Sequence, residues 1–181
     1  MDIQRLSMDE ALRLRHIRLR ALADAPDAFG STYADVSAHP LDMWRQQLQE
    51  IVTFVAVHDG EDVGIVRCAS DEHQHDTAWL LSMWVAPEAR GQGVGNALID
   101  AVIAYARARG AIRLLLDVGD QNQQAIALYA RKGFKPNGHT GSLPAPRHHM
   151  REHQRELRLE PRPSLRHPTT AYEQHCECRL S

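Results

Sequence analysis

A short run of glycines beside an arginine is the part of the sequence best suited to binding chemistry. The residues Arg90-Gly91-Gln92-Gly93-Val94-Gly95 follow the apolar segment 77–85 and lead into a segment with apolar side chains at helical spacing. Glycine brings backbone amides close to a bound group, and the first amides of a helix are free donors at the positive end of its dipole. The run therefore predicts an anion site that suits phosphate, with Arg90 adding a positive charge.

Two better-known phosphate loops do not match this run. A Walker loop has Lys and then Ser or Thr after its last glycine, whereas Gly95 is followed by Asn96 and Ala97. The dinucleotide fingerprint belongs to a βαβ unit near the start of a domain, whereas this run lies at mid-chain after predicted hairpins. Taken alone, the run is also compatible with a helix start whose glycines serve packing.

The elements around the run predict a mixed α/β domain. Strands are predicted over 3–6, 51–57, 63–69, 77–85, 112–118, a short stretch from Phe134, and 150–159. Helices are predicted over 8–23, 40–50, a segment from Gly93 or Gly95 to Gly110, and 121–131. Hairpins followed by alternating strands and helices indicate an α/β (α+β) fold, with a mostly antiparallel central sheet of six to seven strands and helices on both faces.

The remaining segments have weaker patterns. Residues 28–33 and 137–147 are predicted loops, and the charged strand 150–159 suits a sheet edge. Residues 1–159 form the predicted domain, and 160–181 a flexible or partner-bound tail.

The bulk properties narrow the class of protein. The 181 residues carry a formal net charge of −2, which gives no field that favours nucleic acid or an anionic membrane surface. The N-terminus lacks the basic and apolar regions of a signal peptide, and no apolar stretch is long enough to cross a bilayer. Three cysteines do not make a disulfide framework, and the eleven histidines lack metal-ligand spacing. We therefore expect a cytoplasmic protein with no metal, nucleic-acid or membrane partner.

Two separate motifs resemble those of the GNAT superfamily of N-acetyltransferases. The acetyl-CoA loop of that family has the signature Arg/Gln-x-x-Gly-x-Gly/Ala, which Arg90, Gly93 and Gly95 match. The family's helix Asn-x-x-Ala-x-x-x-Tyr-x-x-x-Gly-Phe is similar to residues 122–134. One helix and one strand separate the two motifs, as in the family, and the resemblance covers about residues 50–137. It implies the GNAT-like version of the predicted sheet.

The resemblance implies a role for each matching residue. Backbone amides over 90–96 would hold the CoA pyrophosphate, and the strand that ends at Val85 would pair with the pantetheine arm and help to polarise the thioester carbonyl. In the family this strand splays from its neighbour, here the strand 112–118, and the gap receives the cofactor. Asn122 would hydrogen-bond the cofactor near its pantetheine end, and Tyr129 would be the general acid beside the sulfur. The cofactor-binding residues implied in this way are Met83, Trp84, Val85, Arg90, Gly91, Gln92, Gly93, Val94, Gly95, Asn96, Asn122 and Tyr129.

Several side chains have a simpler interpretation as well. Tyr129 also has the spacing of a core aromatic, and Asn122 also suits the N-cap of its helix. A general base has several candidates in loops and at the strand: Glu72, His73, His75, Ser82 and Glu88. Three aromatic residues lie where the family builds its acceptor pocket, although they also suit helix packing: Phe29, Tyr33 and Trp44.

The predicted function is an N-acetyltransferase that moves an acetyl group from acetyl-CoA, its co-substrate, to a primary amine of a small molecule or peptide by direct attack in a ternary complex. The alternatives are a non-catalytic acyl-CoA-binding regulatory module and a protein that binds a nucleotide phosphate. A homodimer is expected on family grounds. The residues do not name the amine acceptor.

Overall fold

A seven-stranded β-sheet is the framework of residues 1–160, the part of the chain that the computed structural model describes. The strands are β1 (Asp2–Arg5), β2 (Val52–His58), β3 (Glu61–Ser70), β4 (Thr77–Val85), β5 (Arg113–Gly119), β6 (Lys135–Ser142) and β7 (Arg151–Arg158). The helices are α1 (Ala11–Asp24), α2 (Tyr33–Ser37), α3 (Leu41–Glu50), α4 (Val94–Ala108) and α5 (Gln123–Arg131). The predicted mixed α/β class is confirmed. The predicted tail lies, apart from Glu160, outside the described residues.

Helices cover both faces of the sheet, as predicted. The strand order is β1-β2-β3-β4-β5-β7-β6, and every described pair except β4–β5 is antiparallel. On one face Arg67 of β3 bonds Gln47 of α3 at 3.0 Å, and on the other face Gly64 of β3 lies against α4. Helix α5 lies beside α4. Lys132 at the C-terminal end of α5 donates a hydrogen bond to Asp100 of α4 at 2.7 Å.

The two parallel strands are paired only at one end. Residues 77–79 of β4 lie opposite 113–115 of β5, and no later residue of β4 has a partner on β5. Strand β5 instead stays paired with β7 from Arg113 to Gly119. The two strands therefore separate toward the C-terminal end of β4, which is the splay that the family resemblance implied.

A β-bulge in β4 lies where the strands separate. Leu81 is opposite Arg67 of β3, and Trp84 is opposite Ile65, so β4 takes three steps where β3 takes two. Ser82 absorbs the extra residue in a left-handed conformation with φ 54°, which is uncommon for a residue with a side chain. Bulges of this kind interrupt a ladder and bend the strand. Ser82 and Met83 consequently have no opposite residue on β3 or β5.

The short helix α2 was not predicted from the sequence. Its N-cap is Thr32, whose hydroxyl accepts from the amide of Asp35 at 3.1 Å, while the Asp35 carboxylate accepts from the amide of Thr32 at 3.1 Å. This reciprocal capping box is a recognisable helix start. The helix is only five residues long, so its apolar pattern is too short to show a period.

The predicted loop 137–147 is wrong over its first half, where strand β6 continues to Ser142. Gly138 and Gly141 suggested a loop, but glycine is tolerated in an edge strand with a bulge. The register between β6 and β7 shifts between Pro136 and Thr140, and Gly138 has φ 89° there. Strand β7 pairs with β5 on one side and with β6 on the other, so it is not the edge strand that its charges suggested.

Gly64 provides a test of the packing of α4 on the sheet. A Cβ at this position would lie 2.9 Å from Leu98 Cδ1 and 3.2 Å from the carbonyl oxygen of Trp84. Because the backbone oxygen cannot move aside, Gly64→Ala is expected to lower the free energy of unfolding by about 1–3 kcal/mol in denaturant titration. Gly141→Ala is the control, since a Cβ there meets nothing within 4 Å. Equal stability of the two variants would contradict this packing.

Candidate active site

A cavity of about 730 Å³ lies where β4 and β5 separate. Its walls come from residues 80–83 of β4, 117–119 of β5 and the side of α5 that bears Tyr129. The opposite wall is formed by the end of α1, the segment 25–31 that follows it, and residues of the β6–β7 connection. The bulged backbone of β4 thus faces a space large enough for a small molecule.

The glycine-rich loop has the geometry of an anion site. Gly91 and Gly93 have φ 77° and 83°, and Gly93 is the N-cap of α4. The amides of 91–96 have no hydrogen-bond acceptor among the described residues, whereas the amide of Arg90 donates to the carbonyl of Pro87 at 3.3 Å. A helix N-terminus with consecutive unpaired amides favours phosphate groups. The predicted anion loop therefore has its donors in place from Gly91 onward.

The sequence predicted that the positive charge of Arg90 is available to a bound anion, whereas in the structure its guanidinium is already paired. Its guanidinium donates to the Asp24 carboxylate and, at 3.0 Å, to the carbonyl of Val85. The same oxygen of Asp24 accepts from the indole N–H of Trp84 at 2.9 Å. Arg90 thus fastens the loop to the end of α1 and to β4, and its charge is balanced by Asp24.

Gly95 meets a second requirement, which is close packing. A Cβ on Gly95 would lie 3.0 Å from Leu128 Cδ2 of α5 and 3.2 Å from Met83 Cε of β4. The first turn of α4 therefore packs against β4 and α5, two of the elements that line the cavity. The packing interpretation of the glycines and the anion interpretation apply to different members of the run.

Asn122 and Tyr129 lie on the α5 side of the cavity. Asn122 is the N-cap of α5, and its Oδ1 accepts from the amide of Ala125 at 3.1 Å, which leaves the side-chain NH₂ as a donor. Tyr129 is 5% exposed, lines the cavity, and packs edge-on against Phe134 with ring centroids 5.8 Å apart. Burial raises the pKa of Tyr129, so its phenol is protonated at neutral pH. The core position and a proton-donor role are compatible.

Most of the candidate bases do not line the cavity. Glu72, His73 and His75 belong to the β3–β4 loop, at the end of β4 opposite to the bulge. Glu88 is an exposed partner of Arg20 at 3.2 Å. Of the five candidates, Ser82 alone is a lining residue.

Two carboxylates that the sequence analysis did not select line the cavity instead. Asp117 of β5 and Glu152 of β7 are diagonal neighbours, since Glu152 is opposite Gly119. Burial raises the pKa of both groups, and the charge of Asp117 raises the pKa of Glu152 further. Raised carboxyl pKa values are typical of general bases in clefts. The available signal was the single charge of Asp117 within the apolar run 114–118.

The three predicted pocket aromatics have different positions. Phe29 is 7% exposed and lines the cavity. Trp44 is 1% exposed and belongs to the core, and Tyr33 on α2 is 47% exposed and does not line the cavity. Of the three aromatic residues, only Phe29 lines the cavity.

Arg18 of α1 is a further lining residue that the sequence analysis missed. It is 6% exposed, and its guanidinium carbon lies 5.0 Å from the centroid of the Phe29 ring. Burial lowers the pKa of Arg18 to about 10, which still leaves it charged at neutral pH. In the sequence Arg18 is one of several arginines along α1, and nothing in that spacing shows which of them is buried.

Comparison with known proteins identifies the family. The profile of the acetyltransferase (GNAT) family matches residues 19–134, and the chain belongs to this family. An uncharacterized N-acetyltransferase of Methanocaldococcus jannaschii is 36% identical over 96 residues, which is 51% of this chain and 42% of that protein. The chain thus matches less than half the length of this curated relative.

Solved structures share the fold. An acetyltransferase of the GNAT family from Streptococcus pneumoniae superposes with a TM-score of 0.76 at 20% identity, over 88% of this chain and 99% of that chain. The protein yncA of Salmonella typhimurium, solved with its cofactor acetyl-CoA, has a TM-score of 0.71 at 20% identity, over 88% and 94% of the two chains. Within residues 1–160, no helix is long and apolar enough to cross a membrane, and no group of three or more His, Cys, Asp or Glu side chains could hold a metal ion.

Asp117 makes the stability of the folded state depend on pH. Its pKa in the folded protein is raised above 3.8 by burial, so the folded state retains a proton that the unfolded state has already released. Stability therefore falls as pH rises from 3.8 through the folded-state pKa. Asp117→Asn is expected to raise the free energy of unfolding at pH 7 and to leave it unchanged well below pH 3.8.

The measurement is a denaturant titration at several pH values, with Glu61→Gln as the control carboxylate-to-amide change. Glu61 is exposed on β3, away from the cavity. A gain in the free energy of unfolding at pH 7 that is the same size at low pH would contradict a raised pKa of Asp117 in the folded protein.

Proposed function

We propose that this chain is an N-acetyltransferase that moves an acetyl group from acetyl-CoA to an amine acceptor by direct attack in a ternary complex. The observation that carries the proposal is the separation of β4 from β5 beside a helix N-terminus whose amides over 91–96 are unpaired among the described residues. Family membership and the fold shared with a protein solved with acetyl-CoA support it.

The donor is proposed to lie along the open edge of β4. The pyrophosphate would accept from the amides of 91–96, and the amide groups of the pantetheine arm would pair with the backbone of 83–85. The side-chain NH₂ of Asn122 would donate to the arm, since its Oδ1 already accepts the cap hydrogen bond of α5. These contacts would place the thioester near the bulge at Ser82, where the β4 backbone has no strand partner.

The reaction joins the amine nitrogen to the acetyl carbon and breaks the bond from that carbon to sulfur. Backbone amides near the bulge would stabilise the oxyanion. The amine loses a proton, which Asp117 or Glu152 can accept directly or through water. The sulfur leaves as a thiolate and gains a proton from the neutral phenol of Tyr129, so the products are the N-acetylated amine and CoA. Burial raises the pKa of Tyr129, but a thiolate held in the same cavity is desolvated as well.

Tyr129→Phe tests the proton donor. We expect kcat to fall by about 100-fold or more while the Kd for acetyl-CoA changes little, because general acid catalysis contributes about 10²–10⁴-fold. The assay is CoA release from acetyl-CoA with a panel of amines. Tyr105→Phe is the matched control, since Tyr105 is on α4 against Phe54 and does not line the cavity. Unchanged kcat at every pH would remove Tyr129 from the mechanism.

Gly93→Ala tests the anion loop. An alanine at φ 83° is strained, and the resulting shift of the loop is expected to raise the Kd for acetyl-CoA by about tenfold, which corresponds to ~1.4 kcal/mol. Calorimetry measures this directly. Gly110→Ala is the control because Gly110 has the same left-handed φ, 85°, at the far end of α4. Equal affinities of the two variants would show that the loop does not hold the cofactor.

A binding module without activity gives a different outcome in these assays. It would bind acetyl-CoA with the same dependence on Gly93 and release no CoA with any amine.

We also propose a cytoplasmic location, which the buried free thiol of Cys68 supports, and a homodimer. Fractionation of the source cells and light scattering of the full chain test these two points.

A further inference from the structure

The buried cation on the wall of the cavity has no partner in the part of the chain that the structure describes. Arg18 Nη1 is fully buried without a hydrogen-bond acceptor, and no other described side chain or carbonyl bonds or ion-pairs with this guanidinium. Its one close neighbour of note is the face of the Phe29 ring. An unpaired buried charge is strongly unfavourable unless a ligand supplies the counter-charge.

A second buried arginine shows what a structural role involves. Arg67 of β3 is 5% exposed, about as buried as Arg18, yet its guanidinium donates to Gln47 at 3.0 Å and to Thr53 at 3.3 Å. Arg67 does not line the cavity. The charge of Arg18 also lowers the pKa of Arg67, so the two cations are close enough to repel each other. Arg18 therefore lies near a second positive charge, and its own guanidinium N–H groups have no acceptor among the described residues.

We propose that Arg18 binds the carboxylate of the acceptor, and that the acceptor is a free amino acid or a closely similar amino carboxylate. This inference rests on the proposed acetyltransferase function and specifies its substrate. A guanidinium matches a carboxylate in planar, two-point hydrogen bonding. The Phe29 ring lies over this guanidinium, 5.0 Å from its carbon atom, and supplies no hydrogen-bond acceptor to it.

The other charges of the cavity favour an acceptor with one negative and one positive group. Four further carboxylates line the space, namely Asp27, Asp117, Asp120 and Glu152, together with the exposed Arg151 and with Asp24, which pairs with Arg90. These carboxylates attract a protonated amine and oppose a polyanion such as a phosphate ester. A zwitterion therefore places its carboxylate at Arg18 and its amine on the β5–β7 side, where Asp117 and Glu152 can take the proton.

Arg18 is separate from the loop proposed for the cofactor phosphates. No residue of 90–96 lines the cavity, whereas Arg18 and the bulge residues 80–83 do. Arg18 would accordingly contact the acceptor beside the thioester and not the phosphates of the cofactor.

The test compares free L-amino acids with their carboxamides as acceptors in the CoA-release assay. The unmodified protein is expected to prefer the acid over the amide of at least one amino acid by about 30-fold or more in kcat/KM, the loss typical when a buried charge lacks its partner. Arg18→Met is expected to bring this preference to within about threefold, and Arg18→Lys to restore part of it. Arg15→Met, on the same helix but not at the cavity, should keep the preference. Equal use of acids and amides by the unmodified protein, or an undiminished preference in Arg18→Met, would overturn the inference.

Binding separates this inference from the proposed function. With CoA present, the preferred amino acid should raise the melting temperature of the unmodified protein and of Arg15→Met but not of Arg18→Met. If no amino acid gives an Arg18-dependent shift, the inference is wrong even though other amines are acetylated. If such a shift is seen without CoA release, the carboxylate site stands and the catalytic proposal fails. Because Arg18 has no described partner, Arg18→Met is expected to fold, which its own melting curve checks.

Discussion

The separation of β4 from β5 is the constraint on which the rest of the structure depends. Two parallel strands at the centre of a sheet normally satisfy each other's backbone groups, and here the ladder stops after three residue pairs. The bulge at Ser82 withdraws two further residues from the β3 ladder. Polar backbone groups in such a gap need water or a ligand. The proposed cofactor arm, which has its own amides, would meet that need in the gap that also forms the cavity.

Helix α1 connects the two halves of the site. Asp24 at its end accepts hydrogen bonds from Trp84 and Arg90, which ties the glycine-rich loop to β4. Arg18 lies six residues earlier, about 9 Å along the helix at 1.5 Å per residue, and lines the cavity. One rigid element therefore positions the donor loop and the proposed carboxylate contact. A change in the docking of α1 would alter both substrates' sites together.

The features proposed to hold the donor have signals in local sequence motifs. The glycines of the loop and the cap at Asn122 act through backbone geometry within a few residues. The acceptor side could not be predicted in the same way. Arg18, Asp117 and Glu152 come from three distant elements, and their burial depends on how those elements pack. The left-handed Ser82 has no sequence signal, since its conformation is imposed by the register of β3 against β4. Glu72, His73 and His75 of the β3–β4 loop do not line the cavity, because chain proximity to β4 does not specify which end of the strand bears it.

The most direct test of this account is a crystal structure of the chain with acetyl-CoA. The account predicts the pyrophosphate on the amides of 91–96, the pantetheine arm between β4 and β5, and the sulfur within hydrogen-bond reach of the Tyr129 hydroxyl. A cofactor bound outside this gap, or strands β4 and β5 paired along their full length, would contradict it.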